Sequence, residues 1–477
     1  MGYKAGIDKK QLTLLSASLD DYIPENHICR VISAFSEQLD MESLSYKYAK
    51  SKDTGCRPYD PRIMLNLYIY GYLHRIRSSR RLRDEASRNV EVMWLMEGLT
   101  PDDKTICNFR KDNDKALVET FRVFSRMCRE LGLYGGELIA TDSTKFRANN
   151  SVKNNHNEVI VKNELSRIDK KISEYMNLLE QEDKEDENRK EPKNEEIKAA
   201  LEKLKERRIK FEGLNSRVKE EGEISTADAD ARLMRCAGDT RLLSVCYNVQ
   251  TAVDSKHNLV IDFELTNRAN DYGNLHLMSE KAKEIMGVEK LTNLADKGYY
   301  YGKDITACEN NGVTCLVSKP KSGGAKKTEG FRHEDFIYNR EKDIYICPCK
   351  NTLYNKSHKK HKSGREYRVY ANYSVCGKCQ KKKECTTGAY REVERQKNQD
   401  TLDIVDERTR KNKTLYRRRQ EIVEHPYGTI KAVWGFKQFL CRTKPKVTAE
   451  TALTFLAYNM RRVFNISAGN QIKFATV

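Results

Sequence analysis

The sequence predicts an α/β protein built on a mixed β-sheet, preceded by an all-helical segment and carrying two insertions. Three observations carry this. Residues up to about 134 show helix-start signals followed by dense apolar stretches. Between 243 and 318, short apolar strands alternate with helical patterns. Two further stretches, 151–222 and 320–400, depart from both patterns in charge and composition.

In the helical segment, Asp60-Pro61 reads as a helix start, with Asp as the cap and Pro in the first turn. Ile63, Leu65, Leu67, Ile69, Tyr70 and Leu73 follow. Ser78-Ser79 opens a second helix with Leu82 and Ala86 on one face, and Thr100 or Thr105 caps a further helix bearing Arg110 and Lys111. Short helices with basic residues on the last fit a helix-turn-helix, as they fit any small helical bundle. On the former reading residues 1–134 form a DNA-binding domain in which Arg110 faces the duplex.

After Gly135-Gly136, ELIATDSTKF reads as a strand ending in an aspartate. Leu165, Ile168, Ile172, Tyr175 and Leu179 then recur at spacings of three and four, and Ile197, Leu201, Leu204 and Phe211 resume the pattern. Residues 151–222 are therefore expected to form a helical hairpin with a charged tip, QEDKEDENRKEPKNE. SVCYNVQTAV and NLVIDFEL read as paired strands joined by a turn at Asp254–His257. A helix near Leu275–Ile285, the strand KLTNLAD, a helix near Asp304–Glu309 and the strand VTCLVS complete the order. Residues 135–150 and 223–319 thus make the first part of the core, and 401–477 its C-terminal helical part.

Composition narrows the function. The chain has 477 residues, 33% charged and 38% hydrophobic. No apolar run reaches the roughly 20 residues needed to span a bilayer. The N-terminal MGYKAGIDKKQLTLL lacks a signal-peptide pattern, so a cytoplasmic protein with no membrane partner is expected. The formal net charge of +18 implies a polyanionic partner, nucleic acid above all.

Asp142 in IATDS and Asp296 in NLADKGYY each follow an apolar strand, at the sheet edge where ligands of α/β proteins collect. Two carboxylates there can share a pair of divalent cations, and hard oxygen ligands favour Mg²⁺, with Mn²⁺ able to substitute. Asp228, Asp230, Asp254 and Asp271 are rivals by residue type, and an aspartate after a strand also serves as a helix cap.

ATDSTKFRAN, YNVQTAVD, NLADKGYY and VEHPYGTIKAVWG, in this order, resemble the DDE transposases of bacterial insertion sequences, most closely the insertion-sequence eleven-eighty-two type. The resemblance implies an RNase H-like catalytic fold. It also implies an activity that cleaves the ends of a DNA element and joins the freed 3′-OH to target DNA. The expected partners are double-stranded DNA, as terminal inverted repeats and target, and a second copy of the chain on that DNA. Its triad maps onto Asp142, Asp296 and an acidic residue of the C-terminal block. Glu424 stands seven residues before Lys431, the spacing to a DNA-contacting lysine that the family implies, whereas Glu421 places Gly428 there. Tyr416 and Arg419 match the wider motif one position off, and Pro426 suggests that a new helix starts just after Glu424. Arg419 and Lys431 are expected to hold phosphates. Tyr247, Asn248 and Gln250 match a motif expected to support the fold, and His425 is read as structural.

The fourteen cysteines are mostly scattered singly. Cys376-Gly-Lys-Cys379, Cys385 and Cys347-Pro-Cys349 instead form knuckles of the kind that bind structural Zn²⁺. Cys347, Cys376, Cys379 and Cys385 make one closed set, leaving Cys349 spare, with His358 or His361 as substitutes. Between Lys321 and Arg395 there are nineteen Lys and Arg against nine Asp and Glu, so 320–400 reads as a basic, zinc-ordered insertion. A transposase-derived regulator that binds DNA without cutting it is the alternative to an active enzyme.

Overall fold

A computed structural model describes residues 18–50, 57–185, 192–236, 243–320, 330–361 and 366–467. The N-terminal MGYKAGIDKKQLTLL and residues 186–191 of the charged tip lie outside the described residues. Six helices come first: α1 (Ile28–Glu37), α2 (Pro61–Leu73), α3 (Ser79–Arg88), α4 (Val90–Leu95), α5 (Asp103–Asp112) and α6 (Asp114–Glu130). Helix α2 starts as its sequence dictates, with Asp60 accepting from the Arg62 amide and Pro61 at the first position. Helix α5 is capped by Asp102, which accepts from the Thr105 amide, so neither Thr100 nor Thr105 is the cap. Every residue of α2 except Arg62 is buried, which explains why its apolar stretch shows no polar face.

The central sheet is mixed. Its strands are β1 (Leu138–Arg147), β4 (Arg232–Arg235), β5 (Leu243–Asp254), β6 (Val260–Thr266), β7 (Leu291–Ala295) and β8 (Val313–Val317). Strand β1 lies in the middle, antiparallel to β5 and parallel to β7, which is parallel to β8. The far edge of β5 is shared, β4 pairing with its first half and β6 with its second. Helices α9 (Asn274–Met286) and α10 (Gly302–Asn310) occupy the connections into β7 and β8. Between β1 and β4, α7 (Glu158–Glu185) and α8 (Pro192–Glu221) pack as a hairpin on Val161, Ile168, Phe211, Leu214 and Val218. Two short strands, β2 (Asn155–His156) and β3 (Ile224–Ser225), pair at its base.

The cysteine-rich stretch holds structure its polar sequence does not announce. Strands β9 (Ile337–Asn339), β10 (Ile344–Ile346), β11 (Thr352–Lys360), β12 (Glu366–Ala371) and β13 (Val393–Gln396) form an antiparallel meander. Phe336, Tyr345, Leu353, Tyr370 and Val393 make its small core. Two short helices, α11 (Tyr373–Gly377) and α12 (Lys382–Cys385), carry Cys376 and Cys385, and Cys379 lies between them.

Three helices close the described residues: α13 (Gln399–Lys411), α14 (Lys413–Tyr427) and α15 (Lys444–Ile466). Pro426 does not open a new helix; it lies inside α14, and Gly428–Val433 continue as a π-helical turn. The proline ring removes one backbone donor and crowds the preceding turn, and the wider π turn is the local relaxation. Helix α15 is buried nearly all round, and one apolar core runs from α2 and α6 across α15 to β6.

Asn459 of α15 ties the helix to the edge of that sheet. Its Oδ1 accepts from the Val260 amide at 2.9 Å and its Nδ2 donates to the Val260 carbonyl at 2.7 Å. Asn459→Ala leaves both buried backbone groups unpaired, an expected loss of about 2–4 kcal/mol, read as a lowered midpoint in urea unfolding. An unchanged midpoint would show that the edge of β6 holds without this contact.

Candidate active site

The position of β1 between an antiparallel and a parallel neighbour decides where the aspartates fall. Pairing with β7 stops at Thr141 opposite Ala295, whereas pairing with β5 runs on to Arg147 opposite Cys246. Asp142 is thus the first residue of β1 beyond the parallel ladder, in mid-strand and not at its end. Asp296 is the first residue after β7. The register therefore brings the two aspartates side by side.

Asp296 caps the short turn Lys297–Tyr299, its Oδ1 accepting from the Gly298 amide at 2.7 Å. The capping role and a place in the cluster coexist, because only one oxygen is used. Asp142 takes the Ser143 amide on Oδ1 at 2.7 Å and Arg419 Nη1 on Oδ2 at 3.0 Å. Burial pushes the Asp142 carboxyl up to about 6. The Arg419 guanidinium and the Ser143 amide oppose that shift, while the negative charges of Asp296 and Asp271 add to it.

Of the four rival aspartates, Asp271 is the one that reaches this cluster. It precedes α9 and accepts on one oxygen from both Asn248 (2.9 Å) and Gln250 (2.7 Å). The other three are occupied elsewhere. Asp254 accepts from the Gly135, Lys256 and His257 amides and shapes the turn after β5. Asp228 holds the Tyr247 hydroxyl and the Thr443 amide, and Asp230 the Lys444 amide. Tyr247 and His425 are structural, as expected, His425 meeting the Tyr458 hydroxyl at 2.7 Å.

Helix α14 lies over the pair. Tyr416 donates to the Ala295 carbonyl at 3.1 Å, Arg419 reaches Asp142, Val423 is buried, and Tyr427 donates to the Asp142 carbonyl at 3.1 Å. These residues recur at three and four and mark the face toward the sheet. Glu424 lies on the adjoining face, exposed, with Gln420 donating to it at 2.8 Å. The described contacts do not join it to Asp142 or Asp296. Glu421 is exposed too and sits two residues, about 200° of helix, beyond Arg419.

The expected phosphate-holding residues divide. Arg110 is buried, donating to the Tyr72 hydroxyl and lying over the Tyr68 ring, so it does not face DNA. Its helix packs inward because Ile106 and Phe109 share that face. Arg419 is engaged with Asp142. Lys431 bonds Thr144 and the Lys145 carbonyl and sits 4.6 Å above the Phe146 ring, two to four residues along β1 from Asp142.

Cys347, Cys349, Cys376, Cys379 and Cys385 line one cavity of about 30 Å³. Cys349 is not spare: its Sγ lies 3.9 Å from that of Cys379. His361 pairs with Glu394 and His358 is exposed on β11; neither lines the cavity. Elsewhere His27, Cys29 and Glu91 bring ligand atoms within 4.8 Å of one another, but His27 Nδ1 caps α1 and burial pushes the Cys29 thiol far up.

Comparison with known proteins follows the same two ends of the chain. Residues 17–112 match the family model described as Transposase domain (DUF772), and residues 346–464 match the one described as Transposase DDE domain. No curated protein matches the sequence. Among solved structures, the cryo-EM structure of the piggyBac transposase synaptic complex with hairpin DNA aligns at 8% identity and a TM-score of 0.31, over 94% of this chain and 75% of that one. Residues 17–112 and 346–464 of the chain thus belong to transposase domain families, the second of the DDE type.

Proposed function

We propose that this chain is a transposase that binds the ends of a bacterial insertion sequence, of the eleven-eighty-two type, cleaves them and joins the freed 3′-OH to target DNA. The observation that carries the reading is the juxtaposition of Asp142 and Asp296 under α14, with Arg419 and Lys431 beside them. A sheet ordered β6-β5-β1-β7-β8, in which β5 alone runs against the other four strands, supports an RNase H-like core. On this reading residues 1–134 and the stretch 320–400 contact DNA around the core of 135–150, 223–319 and 401–477, and two copies act on the paired ends.

The residues suit a divalent pair: acidic oxygens converge, and burial at Asp142 is offset by the Arg419 guanidinium and the Ser143 amide. Asp142, Asp296 and Glu424 would hold Mg²⁺ or Mn²⁺, which supply the charge that activates the attacking oxygen and stabilises the leaving one. Arg419 neutralises Asp142 and is placed to turn to a phosphate when that carboxylate is otherwise satisfied. Tyr427 and Thr251 share a hydrogen bond beneath Asp142 and fix the strand there. Lys431 lies along β1, positioned to meet the DNA backbone. For Glu424 to join Asp142 and Asp296, its hydrogen bond from Gln420 would have to be released. In the second sheet four of the five clustered cysteines would hold structural Zn²⁺, Cys349 with Cys379 among them.

Strand transfer of pre-cleaved element ends with Mg²⁺ tests the reading. Asp142→Ala, Asp296→Ala and Glu424→Ala are each expected to lose roughly three orders of magnitude or more, as the loss of several kcal/mol of charge stabilisation implies, while Glu421→Ala stays active. Full activity in Asp142→Ala would sink the mechanism, and DNA binding without cleavage by wild type would favour a regulator.

Protonated Asp142 does not hold a cation, so Mn²⁺ affinity of the DNA-free protein is expected to fall as pH drops through about 6. A titration flat from pH 7 to 5 would show that no carboxylate of raised pKa takes part in the binding.

About one zinc per chain is expected from metal analysis, with Cys379→Ser lowering both zinc content and the melting temperature. A metal-free protein that folds normally would remove the zinc.

A further inference from the structure

We propose that Asp271 is a further metal-holding carboxylate of this site, presented to it by Asn248 and Gln250. The inference rests on the reading of Asp142 and Asp296 as the metal-holding pair. Two amide groups on alternate residues of β5, Asn248 and Gln250, donate to the same oxygen of Asp271, Oδ1, at 2.9 and 2.7 Å. Buried Tyr299 donates its hydroxyl to Gln250 Oε1, which fixes the amide so that its Nε2 points at Asp271. One carboxylate oxygen is thereby anchored by two donors.

The other oxygen is turned toward Asp296. A methyl group placed on Gly298 would stand 2.8 Å from Asp296 Oδ1 and 3.0 Å from Asp271 Oδ2, so the two oxygens crowd one point above Gly298. No described hydrogen bond falls on Asp271 Oδ2. Its charge is also among those acting on Asp142. Three carboxylates from three places in the fold, mid-β1, the end of β7 and the approach to α9, thus converge, and mutual repulsion at that spacing is relieved by a cation between them. The arrangement gives the YNVQ stretch a role: its two amides aim an acid.

Asp271→Asn keeps an Oδ1 acceptor for both amides and removes only the charge, so the fold should persist; an unchanged apo melting temperature checks this, with Asp271→Ser as a second variant. Mn²⁺ binding to the DNA-free protein, followed by the paramagnetic resonance of free Mn²⁺, gives a readout apart from activity. Asp271→Asn is expected to weaken binding about ten- to a hundredfold, as Asp142→Asn and Asp296→Asn do. Wild-type affinity in Asp271→Asn, with loss in Asp142→Asn and Asp296→Asn, would overturn the inference and leave the pair intact. Wild-type affinity in all three variants would overturn the pair itself, and this inference with it.

Discussion

Strand β1 is held antiparallel by β5 and parallel by β7, and the unequal lengths of those two ladders organise the acidic cluster. The parallel ladder ends at Thr141 and Ala295, so the next residue of each strand is free of it, and both are aspartates. The longer antiparallel ladder carries β1 on to Arg147, which lets Lys431 bond along the same strand. A slip of one residue in either pairing would turn Asp142 to the opposite face of the sheet, because side chains alternate along a strand.

Burial and charge then compete at Asp142. Desolvation favours the protonated carboxyl and the neighbouring acids add to that, while Arg419 pulls the other way. Helix α14 supplies the counter-charge from one face and carries Glu424 on the next.

The tertiary packing also explains why the helical segment does not stand apart. Helix α15, the last described helix, lies among α2, α6 and β6, so residues far apart in sequence share one core. Arg110 is drawn into the helical packing, which removes it from the surface on which a basic residue of a short helix is expected. In the cysteine-rich stretch, aromatic residues spaced widely in a polar sequence build a five-stranded meander whose core is only a few side chains.

Local chemistry in the sequence was enough to determine most elements: the Asp60-Pro61 start of α2, the helical periodicity of α7 and α8, the alternation of strands and helices from β5 to β8, and the two strand-associated aspartates. These depend on residues near in sequence, through caps, turns and apolar spacing. Only the tertiary structure decided that Asp271, and not Asp228, Asp230 or Asp254, joins the cluster, since all four are aspartates in polar loops or at strand ends and differ only in which backbone amides and side chains surround them. It alone decided that Arg419 meets Asp142 and that Cys349 meets Cys379. The course of the helix through Pro426 belongs here as well, because packing of Ile422, Val423 and Ile430 outweighs one lost backbone bond. Long-range contacts settle such questions, and no local pattern encodes which distant partner a side chain will find.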